Sequence, residues 1–332
     1  MKLDRSKLRL IPGILLSLIA LAVLILMIDG QQVLDSLRQI DPVIVIPVLV
    51  LILISLMTRA GAWRLILKER IPLQKSFFII NSGYFVNTVL PFRIGEITRA
   101  FLLLPAGIEF WEALPTILLE RIIDFGFILS FFFIGLPFAA GFSQSPLLAY
   151  LAAGIIIGSI IILFILVKNK KKIQNWISTT SLIQPGLRDR LSRMVEAVYS
   201  SLEIITDPVQ MVKILGLMFI NWMIALASQY ILLKAFIPDA HFVWTVFMLG
   251  ALGLGVSIPS SPGNIGLYEA SVTIALVAFG VDHNLALAYA LVNHILSLLP
   301  TTMLGAYGLL QEGFALRDIW RFREEQKKEN RS

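Results

Sequence analysis

Ionisable residues concentrate in two neighbouring apolar parts of this sequence. Glu120 and Asp124 lie one helical turn apart, and Arg121 can reach Asp124 across an i,i+3 spacing on a helix. Arginines in such a place can bind an anionic group, with phosphate the best match, while the carboxylates orient them or carry a proton. The full set has three basic and three acidic members: Arg93, Glu96, Arg99, Glu120, Arg121 and Asp124.

A second interpretation of this cluster is structural. Ionisable groups inside a membrane are costly and face a cavity or one another. The six residues could therefore form ion pairs that clamp adjoining segments together at the cytoplasmic interface. The sequence leaves both interpretations open.

A second polar motif, Ser-Ser-Pro-Gly-Asn, interrupts an apolar stretch further along the chain. Serine or asparagine caps with a nearby proline predict a helix N-terminus, whose free N–H groups favour an anion. The alternative is a capped helix at an ordinary loop. The candidate binding residues here are Ser261, Asn264, Tyr268 and Glu269. His294, beside Asn293 in the last apolar run, is predicted to form an interhelical hydrogen bond and is a candidate for proton coupling.

Composition places these residues in a membrane. Hydrophobic residues make up 57% of the 332 and charged residues only 15%, too few for the surface of a soluble domain. The absence of cysteine excludes disulfides and thiol chemistry, and three histidines in two separate regions argue against a metal site. We expect no metal, cofactor or nucleic-acid partner, because the basic residues that give the +6 charge flank apolar runs.

Several apolar runs approach the roughly 20 residues that cross a bilayer. They cover residues 10–28, 42–57, 113–140, 146–167, 211–236 and 285–310. Lysine and arginine cluster before the first run, after the second and after residue 167, whereas the intervening loops are acidic or neutral. Because basic loops stay on the cytoplasmic side, we expect a multi-pass protein of the cytoplasmic membrane with both termini inside.

This orientation requires two further segments, residues 73–99 and 242–279, to begin and end on the same side, the first as a re-entrant hairpin and the second either as a hairpin or as two full crossings. Such re-entrant backbone is tolerated where it is buried or lines a wet cavity. Both contain Pro-x-x-Ile-Gly, at 91–95 and 262–266, and their opposite polarity suggests an inverted repeat of the kind found in transporters. The predicted fold is all-α and polytopic, with about eight membrane segments and two opposed re-entrant or broken-helix motifs.

The remaining parts are peripheral to this membrane domain, which we place at residues 1–316. An amphipathic stretch within a cytoplasmic loop, 168–207, is predicted to lie on the inner leaflet or to dock a soluble or membrane enzyme partner. Residues 317–332 form a basic cytoplasmic tail. Phosphate-binding loops and nucleotide folds are absent, so any transport is not powered by ATP within this chain.

Three ordered blocks carry a resemblance to a known family: LPFRIGEITRAFLL, LLERIIDFGF and IPSSPGNIGLYEASV. They resemble the flippase-like membrane family that includes the transmembrane region of lysylphosphatidylglycerol synthases, and the likeness covers about residues 10–311. The match carries over the following residues: Arg93, Gly95, Glu96, Arg99, Glu120, Arg121, Asp124, Pro262, Gly263, Gly266 and Glu269. Many members have an arginine in the last span, where this sequence has Asn293 and His294.

The resemblance implies a module that moves lipids between leaflets. In bifunctional members a separate soluble domain aminoacylates phosphatidylglycerol, and since no such domain is found in this sequence we expect no synthase activity. The predicted substrates are anionic phospholipids or polyprenyl-phosphate-linked head groups. The alternatives are a membrane-embedded glycosyltransferase that uses lipid-linked sugars, and a scaffold that recruits a soluble enzyme.

Overall fold

A computed structural model describes residues 41–90, 93–139, 207–258 and 261–311. This part of the chain is all-α, as predicted. Its helices are α1 (Val45–Ile66), α2 (Leu73–Val89), α3 (Ile94–Phe101), α4 (Phe110–Gly135), α5 (Pro208–Phe236), α6 (Phe242–Ser257), α7 (Leu267–Val277) and α8 (His283–Gln311). Pro42–Ile66, Pro208–Phe236 and His283–Gln311 are each long and apolar enough to cross a membrane.

The span predicted at 42–57 is too short, because α1 continues to Ile66. Its last turns bury Ala60, Ala62 and Trp63, and Arg59 within them has carboxylate partners. A paired charge does not end a helix, and α1 stops only before Lys68 and Glu69, whose φ angles are positive. The runs predicted at 10–28 and 146–167, the amphipathic stretch 168–207 and the tail 317–332 lie outside the described residues.

The long helices α1 and α5 pack antiparallel to each other. Ser55 near the middle of α1 donates to Asn221 of α5 at 2.8 Å, while Ser228, later in α5, reaches back to the carbonyl of Val48. Helix α8 packs closely on α2, where the hydroxyl of Ser82 donates to the carbonyl of Gly305 at 3.2 Å. A Cβ at Gly305 would overlap the backbone of α2, so glycine permits this approach.

Helices α2 and α3 form the first hairpin, which begins just after α1 ends. The backbone N–H of Gly95 donates to Asn87 Oδ1 at 2.7 Å, so α3 folds back along α2. A Cβ at Gly95 would overlap the carbonyl oxygen of Gly83. With only eight residues, or about 12 Å, α3 returns along part of α2.

Helices α6 and α7 form the second hairpin, from the opposite end of the bundle. Helix α6 runs antiparallel to α4, since Phe247 in its first half contacts Gly135 and its later Gly253 contacts Ile128. Helix α7 then folds back so that Ser271 lies against Gly255. The two hairpins therefore point towards each other.

The hairpin tips meet inside the bundle. Arg93 and Asn264, at the same position of the Pro-x-x-Ile-Gly repeat, both adopt the left-handed conformation, with φ of 52° and 56°. The guanidinium of Arg93 donates to the carbonyl of Val256 in the last turn of α6. Gly263 of the second tip lies against Thr88 of the first. The repeat read from the sequence thus has a counterpart in backbone geometry.

Candidate functional site

A cavity of about 300 Å³ lies between the two hairpin tips. Its wall combines both breaks with parts of α2, α4, α6 and α8. Seven of the candidate residues line it: Arg93, Glu96, Arg121, Ser261, Asn264, Tyr268 and His294. Residues far apart in the sequence are brought to one cavity because the two breaks approach from opposite ends.

Two arginines form the cationic part of this wall. Arg93 is held by the Val256 carbonyl, a helix C-terminal acceptor that a guanidinium satisfies. Arg121 lies 3.4 Å from both Glu120 Oε1 and Asp124 Oδ2 and 4.0 Å from Glu96 Oε1. The i,i+3 contact between Arg121 and Asp124 is the one that the sequence spacing predicts. Both guanidinium groups are thereby aimed at the cavity.

The other members of the charged cluster lie behind the wall. Arg99 is 1% exposed, its Nη2 is 2.5 Å from Glu120 Oε2, and its guanidinium stacks over the Trp63 ring at 4.2 Å. Glu120 and Asp124 are buried as well. Arg99, Glu120 and Asp124 thus do not line the cavity.

Sequence reasoning missed Arg59, which bridges the two buried carboxylates. Its Nε is 3.3 Å from Glu120 Oε1, and its Nη2 pairs with Asp124. The indole of Trp222 also donates to Asp124, at 3.2 Å. The predicted span ended at residue 57, so Arg59 was assigned to the loop that follows it. The apolar residues that continue to Ile66 were the signal that could have placed it on the helix.

Asn87, near the end of α2, lies at the first break. Its Nδ2 donates to Glu96 Oε2 at 3.2 Å while its Oδ1 accepts from Gly95. One side chain therefore satisfies the start of α3 and orients the carboxylate of Glu96 towards the cavity. A polar residue one turn before a predicted break was the available signal.

The helix predicted to follow this motif is present, with Tyr268 and Glu269 in its first turn, but its N-cap is Gly266 and not Ser261 or Asn264. Helix α7 begins at Leu267, and the Glu269 carboxylate reaches back to the N–H of Gly266 at 2.7 Å. Gly263 and Asn264 have φ of 64° and 56°, which a right-handed helix cannot contain. The motif instead forms a 3-10 turn, Pro262–Asn264, whose residues line the cavity.

His294 joins α8 to the second break. Its Nδ1 lies 2.6 Å from Glu269 Oε1, and its Nε2 lies 3.0 Å from the carbonyl oxygen of Gly263. The ring of Tyr268 stacks on the imidazole, with centroids 3.9 Å apart. Glu269 itself is buried and does not line the cavity. The predicted interhelical bond of His294 is therefore present, and it holds the turn at the cavity.

Comparison with known proteins identifies the family of this chain. The model of the lysylphosphatidylglycerol synthase transmembrane-region family matches residues 11–305. The chain belongs to this family. The three sequence blocks that carried the resemblance all fall within the matched region.

Two relatives are named as UPF0104 membrane proteins, and another is named as a glycosyltransferase. A UPF0104 membrane protein of Methanothermobacter thermautotrophicus is 26% identical over 88% of this chain and 90% of its own length. A UPF0104 membrane protein of Methanocaldococcus jannaschii is 23% identical over 67% of this chain and 92% of its own. Glycosyltransferase AglD of Haloferax volcanii is 24% identical over 92% of this chain, but the match spans only 55% of that protein.

Proposed function

We propose that this family member translocates anionic lipids between the two leaflets of a membrane. The observation that carries the proposal is the cavity at which the two opposed hairpins meet, with Arg93 and Arg121 in its wall. Broken helices that expose polar groups at the centre of an inverted repeat are the usual substrate sites of secondary transporters.

The substrate would bind through its phosphate. Arg93 and Arg121 face the cavity with charge-assisted donors, which suit a phosphate better than a neutral group. On the far wall, Ser261 and Asn264 of the second break add polar groups. The lipid tails would stay in the bilayer while the head group passes. Arg99 and Arg59 would act indirectly, by holding Glu120 and Asp124 and so the orientation of Arg121.

The proposed orientation puts the end of the bundle that carries Lys68, Arg70 and Lys75 in the cytoplasm. The first hairpin would then enter from the cytoplasmic face and the second from the outer face. Each leaflet would have its own hairpin, and small movements of the two tips would expose the cavity to one side or the other. Both termini would lie in the cytoplasm of a multi-pass cell-membrane protein.

The test compares lipid exchange in liposomes for the wild type and Arg93→Asn. Asparagine occupies the equivalent position of the second break in the same left-handed conformation, so the variant keeps the backbone while removing the charge. A hydrogen bond to a charged group is worth about 1.5–3 kcal/mol. We therefore expect exchange of labelled phosphatidylglycerol or polyprenyl phosphate to fall by about 10- to 100-fold.

Arg70→Asn is the matched control, because Arg70 is a half-exposed arginine paired with Glu112 away from the cavity. Its exchange rate should equal that of the wild type. Equal rates for Arg93→Asn and the wild type would exclude Arg93 from binding. Absence of exchange for every lipid, from folded protein, would reject translocation.

A glycosyltransferase is the second candidate, favoured by the name of the Haloferax volcanii relative. The shared region spans 55% of that protein, so its activity need not reside in the part that matches this chain. The candidate predicts transfer of a sugar from a polyprenyl-phosphate sugar to an acceptor by purified protein. Sugar transfer without lipid exchange would favour it over translocation.

A further inference from the structure

His294 is hydrogen-bonded to two groups that can both act as acceptors. The carbonyl oxygen of Gly263, 3.0 Å from Nε2, can only accept, so Nε2 must carry a hydrogen. Glu269 Oε1 lies 2.6 Å from Nδ1. An ionised carboxylate can also only accept.

The contact at Nδ1 therefore requires one proton. It is either an imidazolium facing a carboxylate or a neutral imidazole facing a protonated carboxyl group. In both forms one proton lies between Nδ1 and Oε1, and the pair has no net charge. Without that proton, the lone pairs of a nitrogen and an oxygen would face each other at 2.6 Å, and the contact would open.

This proton holds the second break in place. Glu269 accepts the N–H of Gly266 through its other oxygen at 2.7 Å, and His294 holds Gly263. Both glycines have positive φ, and Gly263 lies within the turn at the cavity while Gly266 follows it. Losing the proton would thus release α8 from the start of α7 and loosen one wall of the cavity.

The surroundings leave this pair electrically coupled to the cavity. Helix α6, which packs on α7, contains no ionisable residue. From α7, Tyr268 stacks on His294, and Tyr289 lies on α8 itself. The ionisable groups on the facing cavity wall come from α2, the first break and α4: Tyr84, Arg93, Glu96 and Arg121. His294 also lines the cavity, so a bound head group would lie beside the proton.

We propose that Glu269 and His294 form a proton-binding site that couples translocation to a pH gradient, one proton crossing with each monoanionic head group. This inference rests on the proposed function, because it names the driving force of the same cavity. The proton binds between Nδ1 and Oε1 on the acidic side and is released on the other.

The proton site is tested by nitrogen NMR of ¹⁵N-labelled histidine, which is tractable because the chain contains three histidines. We expect Nε2 of His294 to keep the hydrogen that it donates to Gly263, while the Nδ1 signal moves when the shared proton is lost. In Glu269→Gln, the amide can donate to Nδ1 of a neutral imidazole and still accept from Gly266, so Nδ1 should remain unprotonated throughout. A wild-type Nδ1 signal that does not move would overturn the site.

Coupling is tested in liposomes that carry a one-unit pH difference. Fully coupled one-proton transport shifts the steady-state distribution of labelled phosphatidylglycerol about tenfold towards the less acidic side. In Glu269→Gln, whatever lipid exchange remains should no longer respond to the pH difference. His241→Gln, at an exposed histidine before α6, is the control and should keep the shift.

The outcomes separate the two proposals. If the wild type exchanges lipid but its leaflet distribution does not change with the pH difference, the coupling is wrong and translocation is retained. No exchange of any lipid would overturn translocation and coupling together, while the NMR titration would still decide whether the pair binds a proton. If the labelled lipid still accumulates on the less acidic side with Glu269→Gln, the coupling proton does not bind at Glu269.

Discussion

At the scale of single residues, the charges divide into those that face the cavity and those that support them. Arg99 and Glu120 are fully enclosed, whereas Arg93 and Arg121 reach the cavity. The sequence predicted the charged cluster but not this division. The burial of a side chain depends on which helix packs against it. Arg59, the partner that the sequence did not reveal, lies 61 residues before Glu120.

The buried network predicts a large stability effect at Glu120. Glu120→Gln takes the carboxylate partner from Arg99 and leaves Arg59 paired with Asp124 alone, and breaking a buried ion pair costs about 3–5 kcal/mol. We expect a clear fall in the melting temperature of the purified protein. Glu112→Gln on the same helix breaks only the half-exposed pair with Arg70, worth about 0–1 kcal/mol, and is the control. Equal melting temperatures for the two variants would contradict the structural role of Glu120.

At the scale of elements, the two hairpins depend on close backbone contacts. The sequence predicted both interruptions because each carries proline and glycine in an otherwise apolar run. It misplaced the start of α7, since Ser261 and Asn264 have the residue types of a helix cap. The positive φ angles of Gly263 and Asn264 exclude a right-handed helix there, and Gly263 lies against Thr88 of the first hairpin.

The first hairpin predicts that Gly95→Ala is severely destabilising. A Cβ there would overlap the carbonyl oxygen of Gly83, and backbone cannot move aside as a side chain can. We expect α2 and α3 to separate and the variant to melt well below the wild type or fail to accumulate. Gly126→Ala on α4 is the control, because nothing lies within 4 Å of its added Cβ. That change should be neutral or stabilise the protein by up to about 1 kcal/mol.

At the scale of the whole molecule, opposite ends of the bundle have opposite charge. Lys68 and Lys75 lie where α1 ends and α2 begins, while Asp41, Asp239 and Asp282 lie at the other end. The sequence predicted this segregation through the rule for basic loops. It could not predict that the hairpin tips touch, because contacts between segments about 170 residues apart are not encoded in local periodicity.

The orientation can be tested by labelling, since the native chain has no cysteine to interfere. Lys68→Cys should react with a membrane-impermeant maleimide only in inside-out vesicles. Asp239→Cys should react only in intact cells, because it lies at the opposite end of the bundle. Labelling of both positions from the same side would contradict the proposed orientation.

The charges described around the cavity determine how membrane voltage acts on it. Four guanidinium groups, of Arg59, Arg93, Arg99 and Arg121, face three carboxylates, of Glu96, Glu120 and Asp124, which leaves one positive charge in excess. With Glu269 ionised and His294 neutral, the empty site has no net charge. With one monoanion and one proton bound, it again has none. Voltage, worth about 2.3 kcal/mol per charge per 100 mV, would act on neither form. Under the proposed coupling, a cell whose membrane is depolarised but whose pH gradient survives would continue to move the lipid.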